Sequence, residues 1–167
     1  MLGREQTREM ALSKSLQRGS LGELRTFFST LPAPVEALRT GSFRAEFIGP
    51  WWLRLSSGPS IALAGLPGWS GKRFLTPSSA TNLLRRQQGL TEALTMDCVP
   101  GRSLVDGRPG LALHYGQTAP RPWRWVRDEL RAIDADTLLG MTVIALPVLR
   151  HLAFPFLLLR EPRSATR

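Results

Sequence analysis

From Gly41 onward the apolar residues of this chain recur at every second position, in short runs closed by glycine, proline or Asp-Gly. Phe43, Ala45 and Phe47 alternate with Arg44, Glu46 and Ile48, and Trp51, Leu53 and Leu55 alternate with Trp52 and Arg54. Leu94, Met96 and Cys98 alternate in the same way with Thr95, Asp97 and Val99. A period of two sends successive side chains to opposite faces, so each run reads as a half-buried strand. Further strands are predicted over Ile61–Ala64, Ser103–Val105, Leu111–Tyr115, Trp123–Ala132, Leu138–Leu146 and Phe154–Leu159. Asp106-Gly107 reads as the type I′ turn of a hairpin. Residues 65–82 are rich in Gly, Pro, Ser and Thr and read as a long ordered loop, with Asn82–Gln88 helical after it.

No strand–helix–strand rhythm appears, which argues against a parallel, doubly wound sheet. About eight short strands fit a single closed antiparallel β-barrel, an architecture that removes edge strands and can enclose a small ligand. The pattern before Gly41 is different. Ser20-Leu21-Gly22-Glu23 matches a capping box, and Leu21, Leu24, Phe27, Phe28 and Leu31 follow at helical spacing until Pro32 and Pro34. The expected organisation is a flexible or weakly helical leader over 1–19, a helix-capped barrel domain over 20–161, and a basic tail over 162–167.

With 167 residues, a chain of this size buries roughly 70% of its unfolded surface and needs no disulfide or metal to hold a core. The single Cys98 excludes a disulfide framework within one chain, and His114 and His151 alone do not make a metal centre, so no cofactor is expected. Cys98 shares its face with Leu94 and Met96 and reads as an inert core thiol.

The net charge of +9 points toward an anionic partner, but the two tails contribute +4 of it and acids are interleaved through the remainder. Nucleic acid is therefore disfavoured, while peripheral contact with a membrane surface stays open. Leu138–Leu159 has the hydropathy of a membrane span, yet Arg150 and His151 sit inside it between Pro147 and Pro155. A central arginine costs ~2.5–3.5 kcal/mol on the insertion scale, so two core strands and a turn explain the stretch better. Met1–Ser20 lacks the apolar segment of a secretory signal, and a cytoplasmic protein is expected.

Gly65–Arg73 invites comparison with a phosphate-binding loop, but its glycines are misplaced relative to Lys72, and Arg73 stands where a hydroxyl is required. Trp69 reads instead as a plug for one end of the core, with Lys72 paired to an acid or facing the mouth of a cavity. In a continuous strand, Trp123, Trp125, Arg127, Glu129 and Arg131 share one face, and Arg124, Val126, Asp128 and Leu130 the other. With the tryptophan face inward, Arg127, Glu129 and Arg131 would enter the lumen as an ionic network or anion site; with it outward they form a solvated or structural face.

The blocks Gly68-Trp69-Ser70-Gly71-Lys72-Arg73-Phe74, Asp106-Gly107-Arg108-Pro109, Pro122–Arg131 and Leu138-Leu139-Gly140-Met141-Thr142 resemble those of a group of small bacterial proteins that are lipocalin-like in organisation. The resemblance spans about residues 20–161. It implies the barrel fold and no particular activity.

The leading expectation is a non-enzymatic binder of a small apolar or amphipathic, lipid-like molecule. Lys72, Arg127 and Arg131 would hold an acidic head group, Glu129 would join their network, and Trp69, Trp123 and Trp125 would line the apolar body. The first alternative is an isomerase or hydrolase on the same barrel, with Asp128 or Glu129 as base. The second is a basic surface binder of nucleic acid or anionic membrane.

Overall fold

The computed structural model describes residues 2–162; the tail expected at 162–167 lies outside them except for Pro162. Eight strands form a closed antiparallel barrel in sequence order: β1 (Gly41–Phe47), β2 (Trp69–Thr76), β3 (Ser79–Arg86), β4 (Gly89–Arg102), β5 (Pro109–His114), β6 (Val126–Ala132), β7 (Thr137–Ile144) and β8 (Ala153–Arg160). The ring closes where β1 pairs with β8, with Ala45 opposite Leu158 and Phe47 opposite Phe156. A closed ring leaves no strand edge unpaired.

Two helices precede the barrel, α1 (Leu2–Gln17) and α2 (Leu21–Thr30). The expected capping box is formed: Glu23 N–H donates to Ser20 Oγ at 3.2 Å, and Ser20 N–H donates to Glu23 Oε2 at 2.8 Å. Leu24 and Phe28 of α2, with Leu16 of α1, bury against Leu139, Met141, Val143 and Leu157 on the outside of β7 and β8. These strands are therefore apolar on both faces, because Leu138, Phe156 and Leu158 point to the lumen.

A third helix, α3 (Trp51–Leu63), corrects two predicted strands, at Trp51–Leu55 and Ile61–Ala64. Trp51, Leu53 and Leu55 alternate as a strand would, but in the helix Leu53 is buried while Trp51 and Leu55 are exposed. Pro50 is its N-cap, and proline near a helix start sacrifices no intrahelical donor. The hydroxyls of Ser56 and Ser57 donate back to the Leu53 carbonyl. Serine reads as a turn former because of such local bonds, and here the same bonds sit on a helix.

The expected loop 65–82 and helix 82–88 are β2 and β3. Thr81, Asn82, Leu83 and Leu84 are all buried, so this strand is covered on both faces and shows no alternation to read. The hairpin at Asp106-Gly107 is present, joining antiparallel β4 and β5, but its type I′ turn and the strand expected at Ser103–Val105 are corrected. Gly107 has φ +73°, but Asp106 does not have positive φ, and residues 103–108 form a connection rather than a two-residue turn.

Candidate functional site

One end of the barrel is filled by Phe74, Leu111, Leu130, Leu138 and Leu158. Toward the other end lies a cavity of about 350 Å³, roofed by α3. Trp52, Ser57, Ser60 and Ile61 reach it from the helix, Trp69, Val126 and Phe156 from strands, and Trp123 from the connection between β5 and β6. Its wall is mostly apolar and carries few polar groups.

Those polar groups form one buried cluster. Lys72 Nζ lies 2.7 Å from Asp128 Oδ2, 2.9 Å from Asn82 Oδ1 and 3.3 Å from the Tyr115 hydroxyl. The hydroxyl of Thr142 donates to Asp128 Oδ1 at 2.6 Å, and the indole N–H of Trp69 donates to Asn82 Oδ1 at 3.0 Å. Lys72, Asp128, Tyr115, Thr142 and Trp69 all border the cavity. Lys72 is also 5.6 Å from the ring centroids of both Trp69 and Tyr115.

Local sequence explains how Lys72 reaches this position. Gly71 opposes Arg44 of β1, and a Cβ on it would overlap the main-chain carbonyl of Phe43. Glycine is what lets β1 and β2 approach, and the register shift between Trp69 and Gly71 turns both Trp69 and Lys72 to the inside.

Burial alone would push the Lys72 ammonium down, but Asp128 and Tyr115 outweigh it and hold the group above 10.5. Burial pushes the Tyr115 phenol up to about 12 against the opposing effect of Lys72, so at neutral pH it is a neutral hydroxyl. Burial likewise raises the Cys98 thiol to about 11, which makes it a poor nucleophile. All three groups hold their protons longer in the folded than in the unfolded chain. As pH rises past their ordinary values of 9.0, 10.0 and 10.5, the unfolded state binds fewer protons and stability falls. Urea unfolding should therefore show stability level near pH 8 and declining from about pH 9 upward, with a shallower decline in Tyr115→Phe. A curve flat to about pH 11 would contradict the buried cluster.

Of the seven residues singled out from sequence, Trp69, Lys72 and Trp123 line the cavity. Trp123 packs on Tyr115 with centroids 5.1 Å apart, and its indole N–H donates to the Ala64 carbonyl at 2.6 Å, tying the end of α3 to the barrel. Trp125 is not part of the lining; it lies between Arg121 and Arg124, 5.4 and 5.8 Å from its ring. Arg127, Glu129 and Arg131 stand on the outer face of β6, opposite Val143, Met141 and Leu139. The inward placement expected for these three is thus reversed. Trp123–Trp125 is a 3-10 turn, so counting alternate residues from Trp123 into the strand carries the wrong parity.

Of these outward charges Glu129 and Arg131 are nonetheless buried and Arg127 half-buried, under residues 103–108 and α2. Glu129 accepts from the Ser103 hydroxyl and from Leu104 N–H at 2.7 Å, and pairs with Arg127 at 2.9 Å. Arg131 donates to the Leu31 carbonyl and pairs with Asp106 at 3.1 Å, its guanidinium 5.0 Å from the Phe28 ring. This network fastens the helical layer to the barrel.

Asp128 entered the sequence reading only as a base for the alternative enzyme, and Asn82, Tyr115 and Thr142 were not singled out as site residues at all. A signal existed for two of them. Asp128 is a carboxylate between Val126 and Leu130 on one strand face, and Tyr115 is the chain's one tyrosine, in phase with Leu111 and Leu113. Lys72 is one of two lysines in a chain with 22 basic residues.

No protein-family model and no curated protein matches this chain. Among solved structures, a protein from Thermomonospora curvata is similar over 93% of this chain and 97% of its own, with a TM-score of 0.67 and 18% identity. The likeness is one of fold alone.

Proposed function

We propose that the protein binds a small apolar or amphipathic molecule inside the barrel, with the polar end of the ligand against the Lys72–Asp128 cluster. One observation carries this: an apolar cavity of about 350 Å³ whose few polar groups converge at one place. That combination is typical of ligand sites, in which apolar walls give affinity and a few fixed polar groups give orientation. The volume suits a ligand on the order of 20 non-hydrogen atoms. The resemblance to lipocalin-like proteins points the same way, and a cytoplasmic carrier remains the fitting role.

Lys72 is already neutralised by Asp128, and Arg127 and Arg131 face away from the lumen. A carboxylate head would have to compete with Asp128, so a neutral head such as a hydroxyl or carbonyl is the better fit. The Lys72 ammonium and the Tyr115 hydroxyl would donate to it.

Titration with the neutral dye N-phenyl-1-naphthylamine should enhance dye fluorescence and quench tryptophan. Ser60→Trp, which fills the cavity from an exposed helix position, should weaken binding at least about tenfold while leaving the fold intact. Equal binding by that variant, or no uptake of this dye and of fatty alcohols, would refute the reading. Native mass spectrometry on freshly isolated protein would identify a retained ligand.

A second reading has one observation in its favour: Asp128 is a carboxylate at the cavity wall beside two donors. On an enolisable ketone, Lys72 and Tyr115 would stabilise the enolate oxygen while Asp128 moved the proton, the chemistry of an isomerase. Its carboxylate is already engaged by Lys72 and Thr142, so it would have to give up one of these partners to take a proton. A co-purified ligand recovered chemically unchanged favours the binder, and turnover abolished by Asp128→Asn favours the enzyme.

A further inference from the structure

Because neighbouring strands run in opposite directions, the connections 48–68, 87–88, 115–125 and 145–152 gather around the cavity mouth. Connections 77–78, 103–108 and 133–136, with the approach segment 31–40, lie at the filled end. The two ends differ sharply in charge. The four mouth connections contain no aspartate or glutamate. Together with the end of β3 they carry Arg54, Arg85, Arg86, Arg121, Arg124 and Arg150, all exposed. Among the described residues, none of these six joins an ion pair. The filled end, counted with its strand ends in the same way, holds Glu36, Asp106, Asp134 and Asp136 against Arg39, Arg102, Arg108 and Arg160, the last paired with Asp136.

The same mouth exposes large apolar side chains. Trp51 is 68% exposed, Leu63 91% and Val148 80%, with Leu55, Leu149 and Leu152 also in water. An apolar surface interleaved with unpaired arginines meets the two requirements of an anionic bilayer at once: the arginines bind the headgroups, and the tryptophan and aliphatic groups enter the interface. A nucleic acid would satisfy the arginines but would leave Leu63 and Val148 in water.

We infer that the cavity mouth is a docking surface for anionic lipid membranes, seating the barrel with its opening toward the bilayer. Docking stands on this surface alone. Passage of a ligand directly between bilayer and barrel rests, in addition, on the proposed function.

The test is co-sedimentation of the full chain with phosphatidylcholine vesicles containing about one-third phosphatidylglycerol, beside vesicles of phosphatidylcholine only. Binding is expected to the first and not the second, falling when salt rises from about 0.1 to about 0.5 M. At about fivefold per arginine near a charged surface, Arg54→Ala/Arg150→Ala should lower the partition coefficient roughly 25-fold. Arg102→Ala, at the far end of β4, should change nothing. Trp51→Ala/Val148→Ser should weaken binding while keeping its salt dependence. Far-UV circular dichroism and urea unfolding report whether each variant keeps its barrel. Equal binding to both vesicles, binding to duplex DNA with none to vesicles, or unchanged binding in the double arginine variant would overturn the inference. Vesicle binding without dye uptake would leave docking standing and remove the proposed function, so the two fail separately.

Discussion

Lys72→Met should lower the free energy of unfolding by about 3–5 kcal/mol, the largest effect expected of any side chain at the site. Methionine follows the lysine stem as far as Cε and lacks only the terminal ammonium, so little of the loss is one of packing. It arises because Asp128, with a side chain only 5% exposed, would stay buried and lose the cation 2.7 Å away. Thr142 would still donate one hydrogen bond to it, which offsets a small part of the deficit. Asp128→Asn should cost less, since the amide can still accept from Thr142, but it leaves the Lys72 ammonium facing neutral partners. The double variant Lys72→Met/Asp128→Leu removes both charges and should recover most of the loss, as apolar replacements of buried ion pairs commonly do. Urea unfolding of the three variants and the parent gives the coupling directly. A loss under about 1 kcal/mol in Lys72→Met would mean that the pair is hydrated rather than buried, and that water already fills the space offered to a ligand.

Gly71→Ala should destabilise the barrel by about 3 kcal/mol or more and abolish dye uptake with it. The added Cβ would meet the Phe43 carbonyl, a main-chain atom in the β1–β2 ladder, and main chain cannot turn aside as a side chain can. Relief requires β1 and β2 to separate, and that movement takes Trp69 and Lys72 out of their positions against Asn82 and Asp128. Gly101→Ala is the control: a Cβ there meets nothing within 4 Å, so the change should be nearly neutral. At Gly140 the Cβ would strike the Phe156 ring, which borders the cavity, so Gly140→Ala should fall between the two and shrink the space for a ligand. Unfolding of Gly71→Ala within about 0.5 kcal/mol of the parent would show that the close strand approach does not position the cluster.

The two lysine-block residues show how far the chain's text reached into the site. Trp69 and Lys72 stood out as an indole and a rare lysine among glycines, and both line the cavity. Their strand was hidden by those same glycines, since the residues that permit a close approach of two strands also resemble a loop. Asp128 and Arg127 show the opposite failure. The alternation in β6 was visible, but it defines two faces without saying which is inside. That choice was made by an irregular turn at Trp123–Trp125 and by a helical layer that buries the outer face as completely as the lumen.

What local pattern determined was most of the architecture: the period-two runs of β1 and β4–β8 and a capped amphipathic helix before them are set by neighbours two to four residues apart, and backbone geometry turns them into strands and a helix. What only the tertiary structure decided was the inside of the barrel. Whether Asp128 or Glu129 faces the lumen, whether Trp51–Leu63 is a strand or a helical roof, and which six arginines surround the mouth all depend on residues distant in sequence. Ring closure and the packing of α2 against β7 and β8 select among locally equivalent choices, because each would otherwise leave a charge unpaired or an apolar face in water.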